Sequence, residues 1–121
     1  MSERGSADPG CLFCRIAAGS IPATIVHQDE LIVAFRDIAP KAPTHILLIP
    51  RAHLASVAEV TEADGDLLVR LMTVATRLAA ADGLDRSGFR LVSNTGPDAG
   101  QSVPHLHWHL LGGREMGWPP G

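Results

Sequence analysis

The chain has 121 residues, which allows one domain and leaves little room for a second. Hydrophobic residues make up 45% and charged residues 19%, enough apolar material for one packed core, so a disordered chain is excluded. Ten Lys and Arg against 13 Asp and Glu leave a net charge of -3, which argues against nucleic-acid binding through a broad basic surface. Two cysteines rule out a disulfide-built scaffold. No apolar run reaches the roughly 18 residues that span a bilayer. The first ten residues carry charge, Gly and Pro but no apolar h-region, so the expected compartment is the cytoplasm.

In chain order, residues 1–10 read as a flexible polar tail and residues 11–121 as a single domain. Cys11 to Ala18 suits a short helix stopped by Gly19. Two strands are expected over Ala23–Gln28 and Leu31–Arg36, joined by a two-residue hairpin step at Asp29-Glu30. Asp37 to Pro43 holds two prolines and reads as an ordered loop. Thr44 to Ile49 is a third strand, expected to stop at Pro50. A long helix follows, capped by Thr61 and closed by Gly83 after Ala81, with Leu67, Leu71, Val74 and Leu78 recurring at helical spacing. Phe89–Asn94 is the fourth strand, Thr95–Ser102 a Gly-rich loop and His105–Leu111 the fifth strand. This order predicts an α+β fold with a five-stranded antiparallel sheet, one long helix and one short helix.

His105-Leu106-His107-Trp108-His109-Leu110 alternates without a break. On a strand its three imidazoles share one face, spaced roughly 6.7 Å apart, and the apolar residues take the other. Neutral clustered imidazoles suit nucleophile or metal chemistry; a three-histidine catalytic zinc is one way to use them. The loop Gly100-Gln101-Ser102-Val103 just before them offers backbone N–H groups and a hydroxyl that can cradle phosphate oxygens. Together the two segments point to phosphate chemistry with a histidine nucleophile. Cys11-Leu12-Phe13-Cys14 supplies two of the four ligands of a zinc site, or a redox pair.

These residues, together with Ile21-Pro22-Ala23, Phe35-Arg36-Asp37-Ile38, Ala42-Pro43-Thr44-His45, Asn94-Thr95-Gly96 and the ending Leu111 to Gly121, resemble the histidine-triad (HIT) nucleotide-binding family. The resemblance is to its Hint branch of nucleoside phosphoramidases and runs from Cys11 to Gly121. It implies a HIT-like fold that pairs into a ten-stranded sheet in a homodimer. It implies His107 as nucleophile on the α-phosphorus and His109 as the proton carrier for the leaving amine. His105 and His45 would orient the cluster, Ser102, Gly100 and Gln101 would hold the phosphate, and Asn94 would approach the scissile bond. Asp37 would accept the ribose hydroxyls, with Ile38 beside it. Phe13, Phe35 and Leu47, with Leu12, Ile16 and Ile21, would line a purine slot. The resemblance completes a structural zinc site with His53 and His105 beside Cys11 and Cys14. The implied substrates are purine nucleoside phosphoramidates and related adenylates. Diadenosine polyphosphate hydrolysis, nucleotidyl transfer and a non-enzymatic nucleotide-binding adaptor are the alternatives.

Overall fold

A computed structural model of the chain describes residues 7–121. Residues 1–6 of the expected tail lie outside the described residues. Residues 8–10 form a turn: the Cys11 N–H donates to the Asp8 carbonyl at 2.9 Å and the Gly10 N–H to the Asp8 carboxylate at 2.8 Å.

Helix α1 spans Leu12–Ala17, with Cys11 at its N-cap accepting from the Cys14 N–H. The strands are β1 (Ile25–Gln28), β2 (Ile32–Arg36), β3 (Thr44–Pro50), β4 (Phe89–Val92) and β5 (Trp108–Gly112), and they form one antiparallel sheet in the order β1-β2-β3-β5-β4. Helix α2 is Gly65–Ala81. Thr61 caps as expected, but it caps a 3-10 turn over Glu62–Asp64 through a reciprocal box with Asp64, and α2 continues from there. A further short helix, α3 (Leu84–Ser87), was not expected. Gly83 enters it at φ 78, and Leu84 turns inward to close the core.

The hairpin joining β1 and β2 also differs from expectation. Asp29 accepts from the N–H groups of both Leu31 and Ile32 at 2.8 and 2.9 Å, so its side chain builds a turn through Leu31 instead of a two-residue step. That removes the need for a primed turn, which Glu30 would fit poorly.

The sheet has two different faces. Ile32, Ala34, Ile46, Leu48 and Leu110 face α2 and pack on Leu71, Val74, Ala75 and Ala79, the buried stripe of that helix. Val33, Phe35, Leu47 and Ile49 face the other way, against Cys11, Phe13 and Cys14 of the α1 region. Helix α1 is too short to cover this second face. The uncovered part is an apolar surface at the ends of β2, β3 and β5, and it becomes the wall of a cavity.

β3 and β5 depart from the expected bounds for one shared reason. β3 runs through Pro50, which pairs with Ile32 of β2 in the last rung. On its other side the register puts Leu48 opposite Trp108, so Pro50 would fall opposite Leu106. Pro50 has no N–H to offer, and its carbonyl accepts from the His105 ring at 2.9 Å. The Leu106 N–H bonds to the Leu54 carbonyl instead, and the β5 ladder starts at Trp108. Of the three alternating histidines, only His109 lies in the strand.

Downstream of β5, Gly113 has φ +90, and a Cβ there would sit 2.8 Å from the Pro43 side chain. Only glycine allows the chain to leave the sheet along this path. Leu48 is fully buried between the central strands and α2. Leu48→Ala should lower the unfolding free energy by about 2–5 kcal/mol in urea titration, through lost burial and the cavity left behind.

Candidate functional site

The open part of the second sheet face forms a cavity of about 310 Å³. Leu12, Phe13, Ile16, Ile21, Phe35 and Leu47 give it apolar walls, and Asp37, Ile38, Ser102, His107 and His109 add the rim and the polar end. Ile38 is 99% exposed at that rim. Asn94, Gly100, Gln101, His45 and His105 are not among its lining residues.

The sheet register explains how the histidines meet. Leu47 lies opposite His109 and His45 opposite Leu111, so His45 and His109 are diagonal neighbours on one face. The His107 ring lies 5.0 Å from the His109 ring and 5.0 Å from Phe13, centroid to centroid. The His105 ring lies 6.0 Å from Phe13. All three histidines therefore stay on the α1 side of the sheet, although two precede the strand.

Backbone groups with only one possible role set the tautomers. The His105 carbonyl can only accept, and it lies 2.6 Å from His107 Nδ1. In the neutral ring Nδ1 therefore carries the proton and Nε2 keeps its lone pair. The Lys41 N–H can only donate, and it lies 3.0 Å from His45 Nδ1. His45 therefore carries its proton on Nε2 and donates it to His109 Nδ1 at 2.9 Å. His109 is left with its proton on Nε2. Adjacent rings on one wall thus offer opposite chemistry: a lone pair on His107 and an N–H on His109. Asp37 Oδ2 lies 3.5 Å from His45 Nε2 behind this relay.

Asp37, His45 and His109 also lie close enough to be considered as metal ligands. The Lys41 N–H excludes that use, because a ring accepting at Nδ1 and ligating through Nε2 would have to be doubly deprotonated. Burial holds the His109 pKa down at about 4, with help from the neighbouring His107 and His45. Burial likewise lowers that of His45, against the pull of Asp37. His109 is therefore neutral at pH 7, as its donor role requires.

The loop before β5 is held together by its own hydrogen bonds. The Gly100 N–H donates to the Pro97 carbonyl and the Gln101 N–H to the Gly96 carbonyl. The Gln101 side chain accepts from the Gly96 N–H and donates to the carbonyls of Ala55 and Val103. Gly100 and Gln101 thus spend these groups on holding the loop, and Ser102 and Val103 are the loop residues on the cavity wall. Asn94 follows β4, half-buried and outside the cavity wall. Its neighbour Ser93 donates to the His107 carbonyl at 2.8 Å and braces the His107 backbone, a role the sequence reading missed.

A clamp behind Asp37 was missed as well. Arg36 makes a two-pronged contact with Asp82 at 3.0 and 3.1 Å, and the Thr44 hydroxyl donates to the same carboxylate at 2.8 Å. The Arg36 guanidinium holds the Asp82 carboxyl below its ordinary range. The clamp joins the ends of β2, β3 and α2, and the Asp37 N–H donates to the His45 carbonyl at 2.9 Å. The Asp37–Pro43 loop is thereby fixed at both ends.

Cys11, Cys14, His53 and His105 converge at the base of the same cluster. Cys11 Sγ and Cys14 Sγ lie 3.3 and 3.4 Å from His105 Nδ1, and Cys14 Sγ lies 3.3 Å from His53 Nδ1. A tetrahedral zinc with ordinary bond lengths separates sulfur and nitrogen ligands by about 3.5 Å. His105 Nε2 donates to the Pro50 carbonyl, which leaves the Nδ1 lone pair for a metal and fixes the orientation of the ring. The donor set fits a closed four-ligand site with no position for water.

An unfolded chain takes up the His109 proton near the ordinary value of 6.5, and the folded chain only near 4. Stability should therefore fall as pH drops through that window. In thermal melts from pH 7 to 4, His109→Gln should show a smaller drop in Tm than the unaltered protein.

The HIT domain family model matches residues 18–116. An uncharacterized HIT-like protein of Synechococcus elongatus is 50% identical over 110 residues, covering 91% of this chain and 96% of its own length. A 14 kDa zinc-binding protein of Brassica juncea is 47% identical over 112 residues, covering 91% of this chain and 98% of its own. The crystal structure of a HIT family hydrolase from Legionella pneumophila superposes with a TM-score of 0.91 at 54% identity, covering 93% of this chain and all of that one. With the five-stranded antiparallel sheet and the converging histidines, these matches settle the family: the chain belongs to the HIT domain family.

Proposed function

We propose that this chain hydrolyses purine nucleoside phosphoramidates and related adenylates through a covalent nucleotidyl-histidine. The observation that carries the reading is the pair of opposite tautomers on one wall, His107 with a lone pair at Nε2 and His109 with a proton there. The base would lie between Phe13, Phe35, Leu47 and Ile38, Asp37 would accept the ribose hydroxyls, and Ser102 would donate to the phosphate. Asn94 would approach the scissile bond, with Gly100 and Gln101 shaping the loop behind Ser102.

The His107 Nε2 lone pair attacks the α-phosphorus, and the P–N bond to the leaving amine breaks. The amine nitrogen takes the His109 Nε2 proton as it departs, which makes an otherwise poor leaving group acceptable. His45 donates to His109 Nδ1 throughout and holds that ring in register. A water then gives a proton to His109 Nε2 and attacks phosphorus. The P–N bond to His107 breaks, the nucleoside monophosphate is released, and both tautomers are restored. For an acyl adenylate the bond broken in the first step is P–O to the acyl group.

The Cys11, Cys14, His53 and His105 set would hold a structural zinc, supported by its distances and by relatives named for zinc binding. Bound there, the ion supplies a cross-link between α1 and the segment entering β5, and it leaves the chemistry to the histidines. A homodimer in the cytoplasm completes the reading. Val69 is 66% exposed on α2 and Phe89 is exposed on the edge strand β4, both apolar and open to a second copy. Among the described residues no helix is long and apolar enough to cross a membrane.

His107→Ala should abolish turnover of a fluorogenic adenosine phosphoramidate while nucleotide binding persists in calorimetry. His109→Gln should slow hydrolysis by roughly 10²–10⁴-fold and let a nucleotidylated protein build up in intact-mass spectra. Full turnover by His107→Ala would contradict the mechanism; nucleotide binding with no turnover by the unaltered chain would favour an adaptor. Cys14→Ser should lower zinc content and Tm while costing proportionally less of kcat. Metal analysis, melting and steady-state kinetics on the same preparation check this.

A further inference from the structure

Asp82 is out of place by the rules of its own helix. It stands at the C-terminal end of α2, where the helix dipole disfavours a carboxylate, and the last turn of α2 holds no basic residue. Gly83, at φ 78, can end the helix without it. The carboxylate is held from the sheet instead. Arg36 donates to both of its oxygens at 3.0 and 3.1 Å, and the Thr44 hydroxyl to one of them at 2.8 Å. A local rule broken at a helix end and compensated from elsewhere points to what the compensating contacts hold.

Arg36 and Thr44 each precede a residue of the site, Asp37 and His45. Side chains alternate along a strand, so successive residues lie on opposite faces. Arg36 and Thr44 continue the rows of Ile32, Ala34, Ile46 and Leu48 that face α2. Asp37 and His45 fall on the α1 side, with Asp37 on the cavity wall. Arg36 borders that cavity too, but its guanidinium is committed to Asp82. The β2–β3 ladder ends at the rung between Arg36 and Ile46, so Asp37 and Thr44 lie beyond it. There the clamp ties the two strand ends to one carboxylate.

The Asp37 side chain needs such a support. Its Oδ1 accepts from the Ala39 N–H at 2.8 Å, and its Oδ2 lies 3.5 Å from His45 Nε2. Each oxygen keeps a second lone pair for a hydroxyl. Gripping a diol requires both oxygens in register, held to about 0.5 Å.

We propose that Arg36, Thr44 and Asp82 are positioning residues that set the sugar selectivity of the site from the opposite face of the sheet, by fixing Asp37 against the ribose hydroxyls. The assignment rests on the hydrolase reading above and on the ribose role given there to Asp37.

The test compares adenosine phosphoramidate with its 2′-deoxy analogue as a ratio of kcat/KM, which does not depend on the fraction of active protein. The unaltered chain should favour the riboside by about 10- to 100-fold, the range of a hydrogen bond to a charged group. Asp37→Ala should bring the ratio close to one. Arg36→Gln and Asp82→Asn should each lower it about three- to tenfold, and the double variant no further than either, as for groups that act as one unit. Thr44→Val, which removes one contact of three, should lower it by about twofold and gives the same reading where a charge variant is too unstable to assay. A clamp that only stabilises the fold would lower Tm and leave the ratio in place. If Asp37→Ala moves the ratio and the clamp variants do not, the proposal is overturned and the hydrolase reading stands. A ratio unmoved by Asp37→Ala overturns the ribose role of Asp37 together with the proposal. A chain that cleaves neither substrate overturns the hydrolase reading as well.

Discussion

A single hydrogen bond of 2.6 Å, from His107 Nδ1 to the carbonyl of His105, governs the site. It forces the neutral His107 ring to keep its lone pair at Nε2, on the cavity side of the bond. It also makes His105 answer to two demands at once. Its carbonyl holds the His107 ring, and its side chain lies between the Pro50 carbonyl and the two cysteines. The metal cluster and the His107 ring are thus successive layers of one packed unit. A closed set of four ligands offers no water to activate, so the cluster's part is to hold position.

The same economy explains why the strand is interrupted there. A regular β5 through His105 would need ladder partners on Pro50, which has no N–H to donate. Breaking the ladder frees the Leu106 N–H for Leu54 and the Pro50 carbonyl for His105, so these backbone groups remain satisfied. The histidines keep their common face without the strand that was expected to impose it, because Phe13 packs edge-on against both His105 and His107. His109 in turn packs against His107 and His45, and burial lowers its proton affinity.

Much of the fold was legible because its signals lie within single stretches. The helical spacing of Leu71, Val74 and Ala75, the alternation around His109 and the pairing of Cys11 with Cys14 each need only local chain. What escaped joins distant residues or depends on backbone groups. The Arg36–Asp82 contact spans 46 residues and Thr44–Asp82 spans 38, and no local pattern marks either. The Lys41 N–H that fixes His45, and the Ser93 hydroxyl that braces His107, act through main-chain atoms, which every residue type carries. The loop's internal bonding was hidden likewise: nothing in the sequence marks the Gly100 and Gln101 N–H groups as donors to the carbonyls of Pro97 and Gly96.

The central claim is that backbone partners lock His107 and His109 in opposite tautomers before any substrate arrives. Side-chain nitrogen NMR of the free protein, labelled at its histidine rings and held at pH 7, reads this directly. The account predicts a bare, pyridine-type Nε2 on His107 and a protonated, pyrrole-type Nε2 on His109. A protonated Nε2 on His107, or two rings averaging between tautomers, would contradict it.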